Sequence, residues 1–418
     1  MIIKLIGTIT ALKNYYRSFD SFVWVLFLGT LINAIGIGIF YPFLTIYMKE
    51  QINMPMSAIG LLLALQSIVG IVSQPLVGLM IGRFDKRLAL IIIMSAVTLV
   101  DILYIFSRSI LLIAIVLFLS GMLVPMYYVV RNVIVGESVG SEQRTEVNSI
   151  LLMAFNGGQV LGASIGGFLA VFSYTYVFLV NAVTTLLFTV LLIFRFNYKD
   201  NSSKEQKINF NRTKEKVNFS LVWKNKGFIW FCIGTILTIT CYAQLFTTLP
   251  VYLKGHLGIN EMQYGIIASI NTFAIMVFQL PLSILTKNLR KSSIMAMGSL
   301  MFCCCLVGIY FVDQYLFFFP LILFVSFGCM LFFPTSTSYV ADISPPNYSG
   351  HFYGVFGGVS SLGYAIAPLI GGFLYEESIG YLWFFLLIFS FLSLLIFILL
   401  RKEGTENVKY DNKSQVTN

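Results

Sequence analysis

The chain repeats itself, and this constrains its fold more than any other feature. Tyr47 and Lys49 recur as Tyr252 and Lys254, Gly60 as Gly265, and Gln74 as Gln279. At the same offset Gly158, Gly166, Gly167, Phe168 and Leu169 recur as Gly363, Gly371, Gly372, Phe373 and Leu374. No gap is needed between positions 47 and 169 to hold this register, and the offset is about half of the 418 residues. The fold must therefore use one unit twice, in parallel. In membrane proteins, repeats of this kind put a shared site between the halves, near the bilayer midplane.

Both copies are apolar enough for a bilayer. The chain is 58% hydrophobic and 11% charged, whereas a soluble protein carries about 25% charged residues. The charges cluster between apolar runs of about 20 residues, the length that crosses a hydrocarbon core. Such runs must be helical, because lipid offers the backbone no hydrogen-bond partner. Short alternating strands, the mark of an outer-membrane barrel, are missing from the sequence. The pattern predicts an all-α membrane protein with twelve transmembrane helices in two six-helix repeats.

The predicted spans cover residues 22–47, 57–81, 88–106, 111–136, 147–172 and 174–195, then 226–252, 262–286, 292–311, 315–341, 351–376 and 379–400. They divide the chain into an N-terminal segment (1–21), a first bundle (22–195), a basic linker (196–225), a second bundle (226–400) and a polar tail (401–418) that is expected to be disordered. The N-terminal segment has no clear small-residue cleavage site and is expected at the membrane surface.

The net charge of +9 does not imply nucleic-acid binding, because of where the bases lie. Of the 27 lysines and arginines, only Lys49, Arg108 and Lys254 fall on one side of the predicted topology. The others lie at the N-terminus, in the alternate loops, at the adjoining helix ends and in the tail. This is the positive-inside distribution, and it puts both termini in the cytoplasm of a cell membrane. Basic loops and linker fit a bacterial inner membrane. All six cysteines fall inside predicted spans. Cys303, Cys304 and Cys305 point in different directions around one helix and cannot converge on a metal. No metal, cofactor, phosphate loop or nucleophile constellation is predicted, and hence no enzyme activity.

Several motifs resemble those of the major facilitator superfamily. Gly78, Arg83, Lys86 and Arg87 fit its G-x-x-x-D-R-x-G-R-R loop, although Gly82 holds the acid position and Asp85 the second glycine position. The fifth span carries Gly158, Gly162, Gly166 and Gly167, similar to the antiporter signature G-x-x-x-G-P-x-x-G-G with Ala163 for proline. Its repeat copy carries Gly363, Ala367, Pro368, Gly371 and Gly372. Glycines at this spacing line one helix face and admit a neighbouring helix. The fourth span ends in Arg131 and Glu137, followed by Arg144, and its counterpart ends in Asp342. This resembles the drug:proton antiporter branch. Leu117 stands where that branch has an arginine associated with proton coupling.

The resemblance implies gating roles for Arg83, Asp85, Arg131, Glu137, Arg144 and Asp342, and a cavity offering Asn33, Tyr41, Gln66, Tyr127, Asn156, Tyr242, Gln244, Asn271 and Phe333. Amides and aromatics suit a large apolar or cationic ligand. Asp101 and Arg131 are the ionisable residues left inside the spans, where such groups are functional candidates. Asp101 lies about 20 Å along its span from Leu88 and Arg131 about 9 Å from Glu137, depths too different for a direct ion pair. Asp101 is the candidate proton carrier; the alternative is an acid bonded to a neighbouring helix. The implied function is secondary transport exporting lipophilic or cationic compounds in exchange for protons, by a monomer. A carrier of a metabolite or lipid-linked substrate, and a non-transporting receptor-like descendant, are the alternatives.

Overall fold

The computed structural model describes residue 19 and residues 21–80, 85–138, 144–195, 224–344 and 349–414. Among these are thirteen α-helices, one 3-10 turn and no strand. The first half contains α1 (Ser21–Glu50), α2 (Met56–Met80), α3 (Lys86–Phe106), α4 (Ile110–Ser138), α5 (Arg144–Phe172) and α6 (Tyr174–Arg195). The second contains α7 (Lys226–Thr247), α8 (Leu249–Leu257), α9 (Glu261–Thr286), α10 (Lys291–Phe311), α11 (Phe318–Ile343), α12 (Ser349–Glu377) and α13 (Ile379–Ser414). Twelve of them supply segments long and apolar enough to cross a membrane.

The repeat governs the helices as well as the letters. Ser21 and Lys226, Met56 and Glu261, Lys86 and Lys291, Arg144 and Ser349, and Tyr174 and Ile379 all begin helices. Each pair is separated by the offset that separates Tyr47 from Tyr252. Short polar side chains set some of these starts, by accepting from orphan backbone N–H groups. Asp85 caps α3 through Leu88 N at 3.0 Å, and Asn225 caps α7 through Phe228 N at 3.0 Å. Asn260 and Gln263 form a reciprocal capping box at α9.

The structure departs from the predicted spans in two places. The seventh span is not one helix to 252. It divides at Thr248 into α7 and α8, with Pro250 in the first turn of α8. Proline lacks an N–H and favours the start of a helix. Gly258, at φ 63°, then ends α8 in the left-handed region. The tail is not disordered throughout, because α13 runs on to Ser414. Adding a residue to an existing helix is easier than nucleating one, and no proline interrupts this segment.

Within the first half α1 packs on α5 and α6, α2 on α4, and α3 on α4 and α6. The second half repeats this arrangement with α7 on α12 and α13, α9 on α11, and α10 on α11 and α13. The halves meet mainly through α2 with α12 and α5 with α9. These two contacts are copies of each other. Gly60 of α2 faces the Pro368 carbonyl and Gly372 of α12, and Gly265 of α9 faces the Ala163 carbonyl and Gly167 of α5. A Cβ on Gly265 would stand 2.7 Å from the Ala163 oxygen. Small residues here let backbones approach as closely as helices can.

Both contacts lie at the end of the bundle that holds Glu50 and Lys254. Polar groups clamp the same end. Lys254 pairs with Glu50 and Glu261. The Tyr174 hydroxyl donates to Glu261 at 2.8 Å, and Ser57 N donates to Glu376 Oε1 at 3.2 Å. Toward the opposite end the described residues of the two halves pack separate cores, and a Cβ on Gly354, Gly357 or Gly358 of α12 would meet nothing within 4 Å. Among the described residues, one end is shut and the other open.

Gly60→Ala should open the shut end, because its methyl meets backbone that cannot rotate away. Overpacking costs about 1–3 kcal/mol and falls only on the state with these helices in contact, so the conformational equilibrium should move about 5- to 150-fold. Spin labels at Gln51 and His256 report this as a longer-distance population in pulsed paramagnetic resonance. An unchanged distance distribution would contradict the account.

Candidate functional site

Asp101 is 9% exposed although it sits within a membrane span. Its Oδ2 accepts from the Thr185 hydroxyl of α6 at 2.7 Å. The same hydroxyl lies 3.1 Å from Oδ1 of Asn33 on α1 and 3.1 Å from the Asn181 carbonyl. Three helices therefore meet at one hydroxyl group. Two glycines of α1 bracket Asn33 and bring α6 this close. A Cβ on Gly29 would lie 2.9 Å from Phe188 Cζ, and one on Gly36 would lie 2.9 Å from Asn181 Oδ1.

This cluster forms part of the wall of a cavity of about 350 Å³. Its other walls come from α2 and α4, with Phe155 of α5 and only Ser361 and Tyr364 from the second half. Gln66 of α2 donates to Ser120 Oγ of α4 at 2.9 Å, and the Tyr104 hydroxyl lies 3.2 Å from the same oxygen. Tyr41, Tyr104, Tyr127, Tyr128 and Tyr364 line the space. Asp101 is the one charged side chain among its described lining residues. The volume is that of a small-molecule site. Its chemistry combines one carboxyl with amide, hydroxyl and aromatic surface, which suits an uncharged or singly cationic organic molecule.

The repeat is broken at this cluster. The positions equivalent to Asn33, Asp101 and Thr185 hold Thr238, Leu306 and Ser390. There the second half forms an uncharged hydroxyl cluster, in which Thr238 and Ser299 meet Ser393 at 2.6 and 3.0 Å and the Cys303 thiol donates to Ser390 at 3.2 Å. The acid belongs to the first half alone.

The predicted cavity residues divide accordingly. Asn33, Tyr41, Gln66 and Tyr127 line the cavity, and so does Asp101. Asn156 does not, and its neighbour Phe155 takes that place. Four residues of the second half also lie outside this cavity. Tyr242 packs on Phe333 at 5.1 Å, which in turn meets Phe332. Gln244 is buried and donates to the Ala367 carbonyl at 2.7 Å, and Asn271 accepts from Ser326 at 2.8 Å. These four were expected to line a cavity shared by both halves, and the residues lining this one come mainly from the first half. Thr185, Asn181, Ser120, Tyr104 and Tyr364 were missed. The available signal was a polar residue in an apolar span whose repeat copy differs, as with Asp101 and Leu306 or Asn181 and Leu386.

The family model described as Major Facilitator Superfamily matches residues 26–260 and 246–416, nearly the whole chain. The chain belongs to this superfamily. It is thus a multi-pass membrane transporter and not an enzyme. It is 26% identical to the uncharacterized MFS-type transporter YttB of Bacillus subtilis (strain 168), over 84% of this chain and 88% of that protein. It is 23% identical to the class B tetracycline resistance protein of Escherichia coli, over 88% of this chain and 92% of that protein. The fold is similar to the crystal structure of the nucleoside transporter NupG, with a TM-score of 0.77 at 13% identity, covering 92% of this chain and 100% of that one.

In this facilitator the motif glycines face two ways. Gly158 and Gly166 of α5 meet the Leu31 and Ile39 carbonyls of α1, with Gly162 against Ile35 between them. Gly363 of α12 meets Ile239 of α7, and Gly371 meets Gln244 and Thr248. The next residues, Gly167 and Gly372, face the other half, as does the Pro368 carbonyl.

The gating candidates are scattered. Asp85 makes the cap bond of α3. Arg131 donates to its neighbour Asn132 at 3.0 Å, and its guanidinium lies 5.0 Å from the Tyr128 ring. Asp342 pairs with Lys291 at 2.6 Å, a brace between α11 and α10 inside the second half. Arg83 and the side chains of Glu137 and Arg144 lie outside the described residues.

In a background with the native cysteines replaced, Ser361→Cys should react readily with a water-soluble thiol reagent, since it borders the cavity. Ser326→Cys, buried between α11 and α9, should react at least about tenfold more slowly. Equal labelling rates would contradict the described cavity.

Proposed function

We propose that this facilitator exports lipophilic or singly cationic compounds by alternating access, in exchange for protons entering through Asp101. The observation that carries the reading is a lone carboxyl in the wall of an otherwise uncharged cavity rich in amides and tyrosines. Intramembrane acids of this kind are expensive to bury and serve as proton or cation sites. A ligand cation and a proton both neutralise Asp101, so each weakens binding of the other. Competition for one carboxyl suffices to couple opposite fluxes. Similarity to a tetracycline resistance protein supports a drug-sized organic substrate.

By the positive-inside rule the open end, with its basic loops, faces the cytoplasm, together with both termini. On this reading the carrier sits in the cell membrane and is open inward. The Gly60 and Gly265 contacts and the Lys254 cluster shut the outer side. One core runs across both halves at the shut end, while toward the other end each half packs a core of its own, which suits rocking of the halves about the shared core in a monomer.

The test is ethidium efflux from preloaded cells, with and without a proton uncoupler. Cells producing the protein should clear ethidium faster than empty-vector cells, and the uncoupler should remove the difference. Asp101→Asn should reduce efflux to the empty-vector level at equal membrane abundance. Efflux that survives both treatments would refute proton exchange through Asp101.

A further inference from the structure

We infer that Thr185 is a one-hydrogen switch that reports the protonation of Asp101 on α3 to Asn33 on α1. The inference rests on Asp101 being the proton carrier and names the residue through which its charge state reaches the substrate wall.

A threonine hydroxyl has one hydrogen to give and two lone pairs that accept. Three acceptor oxygens surround Thr185 Oγ1: Asp101 Oδ2 at 2.7 Å, Asn33 Oδ1 at 3.1 Å and the Asn181 carbonyl at 3.1 Å. One hydrogen cannot serve all three. The Asn181 carbonyl is already supplied. It accepts the Thr184 hydroxyl at 2.8 Å and sits at the i−4 position that takes the Thr185 backbone N–H in a helix. The contest is therefore between Asp101 and Asn33.

Protonation decides it. An ionised carboxylate only accepts, and charge-assisted bonds are the stronger ones. The Thr185 hydrogen then points at Asp101, and the Asn33 amide is left to the cavity it borders. When a proton enters on Asp101, the carboxyl O–H donates to Thr185 Oγ1. The Thr185 hydrogen turns to Asn33 Oδ1 and ties α1 to α6. One proton is gained at Asp101, no covalent bond elsewhere changes, the Asp101–Thr185 hydrogen bond reverses direction, and one from Thr185 to Asn33 forms. Asn33 thus offers a free amide to a ligand when Asp101 is ionised and an occupied one when it is protonated. By linkage, a ligand held by Asn33 favours the ionised carboxyl. The glycines flanking Asn33 keep the two helices close enough for the bond to form.

The groups facing Asp101 leave this reading intact. Tyr104 shares α3, Tyr41 lies on α1, Tyr127 and Tyr128 on α4, and Tyr364 on α12. Phenols ordinarily titrate near 10, above the range tested. The cavity residues of α2 and α6 are amides, hydroxyls and small or apolar groups. Arg131 stands beside Tyr128, 5.0 Å from its ring.

The experiment is a pH titration of the purified full-length protein in lipid nanodiscs, followed through the infrared C=O stretch of the protonated carboxyl. The Asp101 band is the one missing from Asp101→Asn. Asn33→Ala should shift its midpoint by about half a pH unit or more, the size one hydrogen bond confers. The shift should persist with Thr185→Ser, which keeps a hydroxyl, and vanish with Thr185→Val, which is nearly the same shape without one. A shift of equal size in all three backgrounds, or in none, would overturn the switch while leaving Asp101 as a proton site. No titrating band lost in Asp101→Asn would overturn both. The measurement needs no substrate, so failure of ethidium efflux leaves its outcome readable. Thr185→Ser keeps the test decisive if Thr185→Val is poorly folded: an Asn33→Ala shift absent from Thr185→Ser refutes the switch.

Discussion

The architecture depends on backbone touching backbone where the two halves meet. Inside a bilayer apolar side chains gain little by leaving lipid for protein, so helices associate through close packing. Gly60 against Pro368 and Gly372, and Gly265 against Ala163 and Gly167, provide that packing twice. The two contacts share one end of the bundle, and toward the other end the described residues of each half pack a separate core. The ion pairs of Lys254 add to this junction, but its geometry is set by residues without side chains. A cavity open to one side follows from where those glycines lie.

The same device acts within the first half at a different scale. Gly29 and Gly36 draw α1 onto α6, and this brings Asn33 within reach of Thr185 and Asp101. Close approach thus serves chemistry as well as packing. A carboxyl is tolerated within a membrane span because a hydroxyl donates to it and a cavity adjoins it. The second half keeps the packing and drops the charge. Its equivalent layer, around Thr238, Ser299, Ser390 and Ser393, satisfies its hydroxyls internally and leaves no acid. Duplication supplied the frame, and divergence at a few positions left an acid in this layer of one half only.

Much of the fold was legible because its signals are local or periodic. Apolar runs of the right length, the repeat register and the alternation of basic loops each constrain the helices independently. The division at Thr248 was not legible from hydropathy, because Pro42 in α1 and Pro250 at α8 look alike in an apolar run. One lies within a continuous helix and the other starts a new one. The site was only partly legible. Asp101 stood out as an acid within an apolar span, and Asn33, Tyr41, Gln66 and Tyr127 followed from the polar content of their spans. Tyr242, Gln244, Asn271 and Phe333 have the same composition and lie elsewhere, since composition does not say which face a helix turns toward a cavity. Thr185 is one of many hydroxyl residues, and its partners on α1 and α3 are distant in sequence.

By itself the sequence determined that this protein is a duplicated bundle of membrane helices, how the helices follow one another, and that a single acid interrupts the apolar third span. Those features follow from hydropathy, periodicity and residue identity, which act along the chain. Only the tertiary structure decided which end of the bundle is shut, that the cavity belongs mainly to the first half, and that one threonine hydroxyl joins Asp101 to Asn33. These depend on helix rotation and separation to within an ångström, and contacts between distant segments fix both.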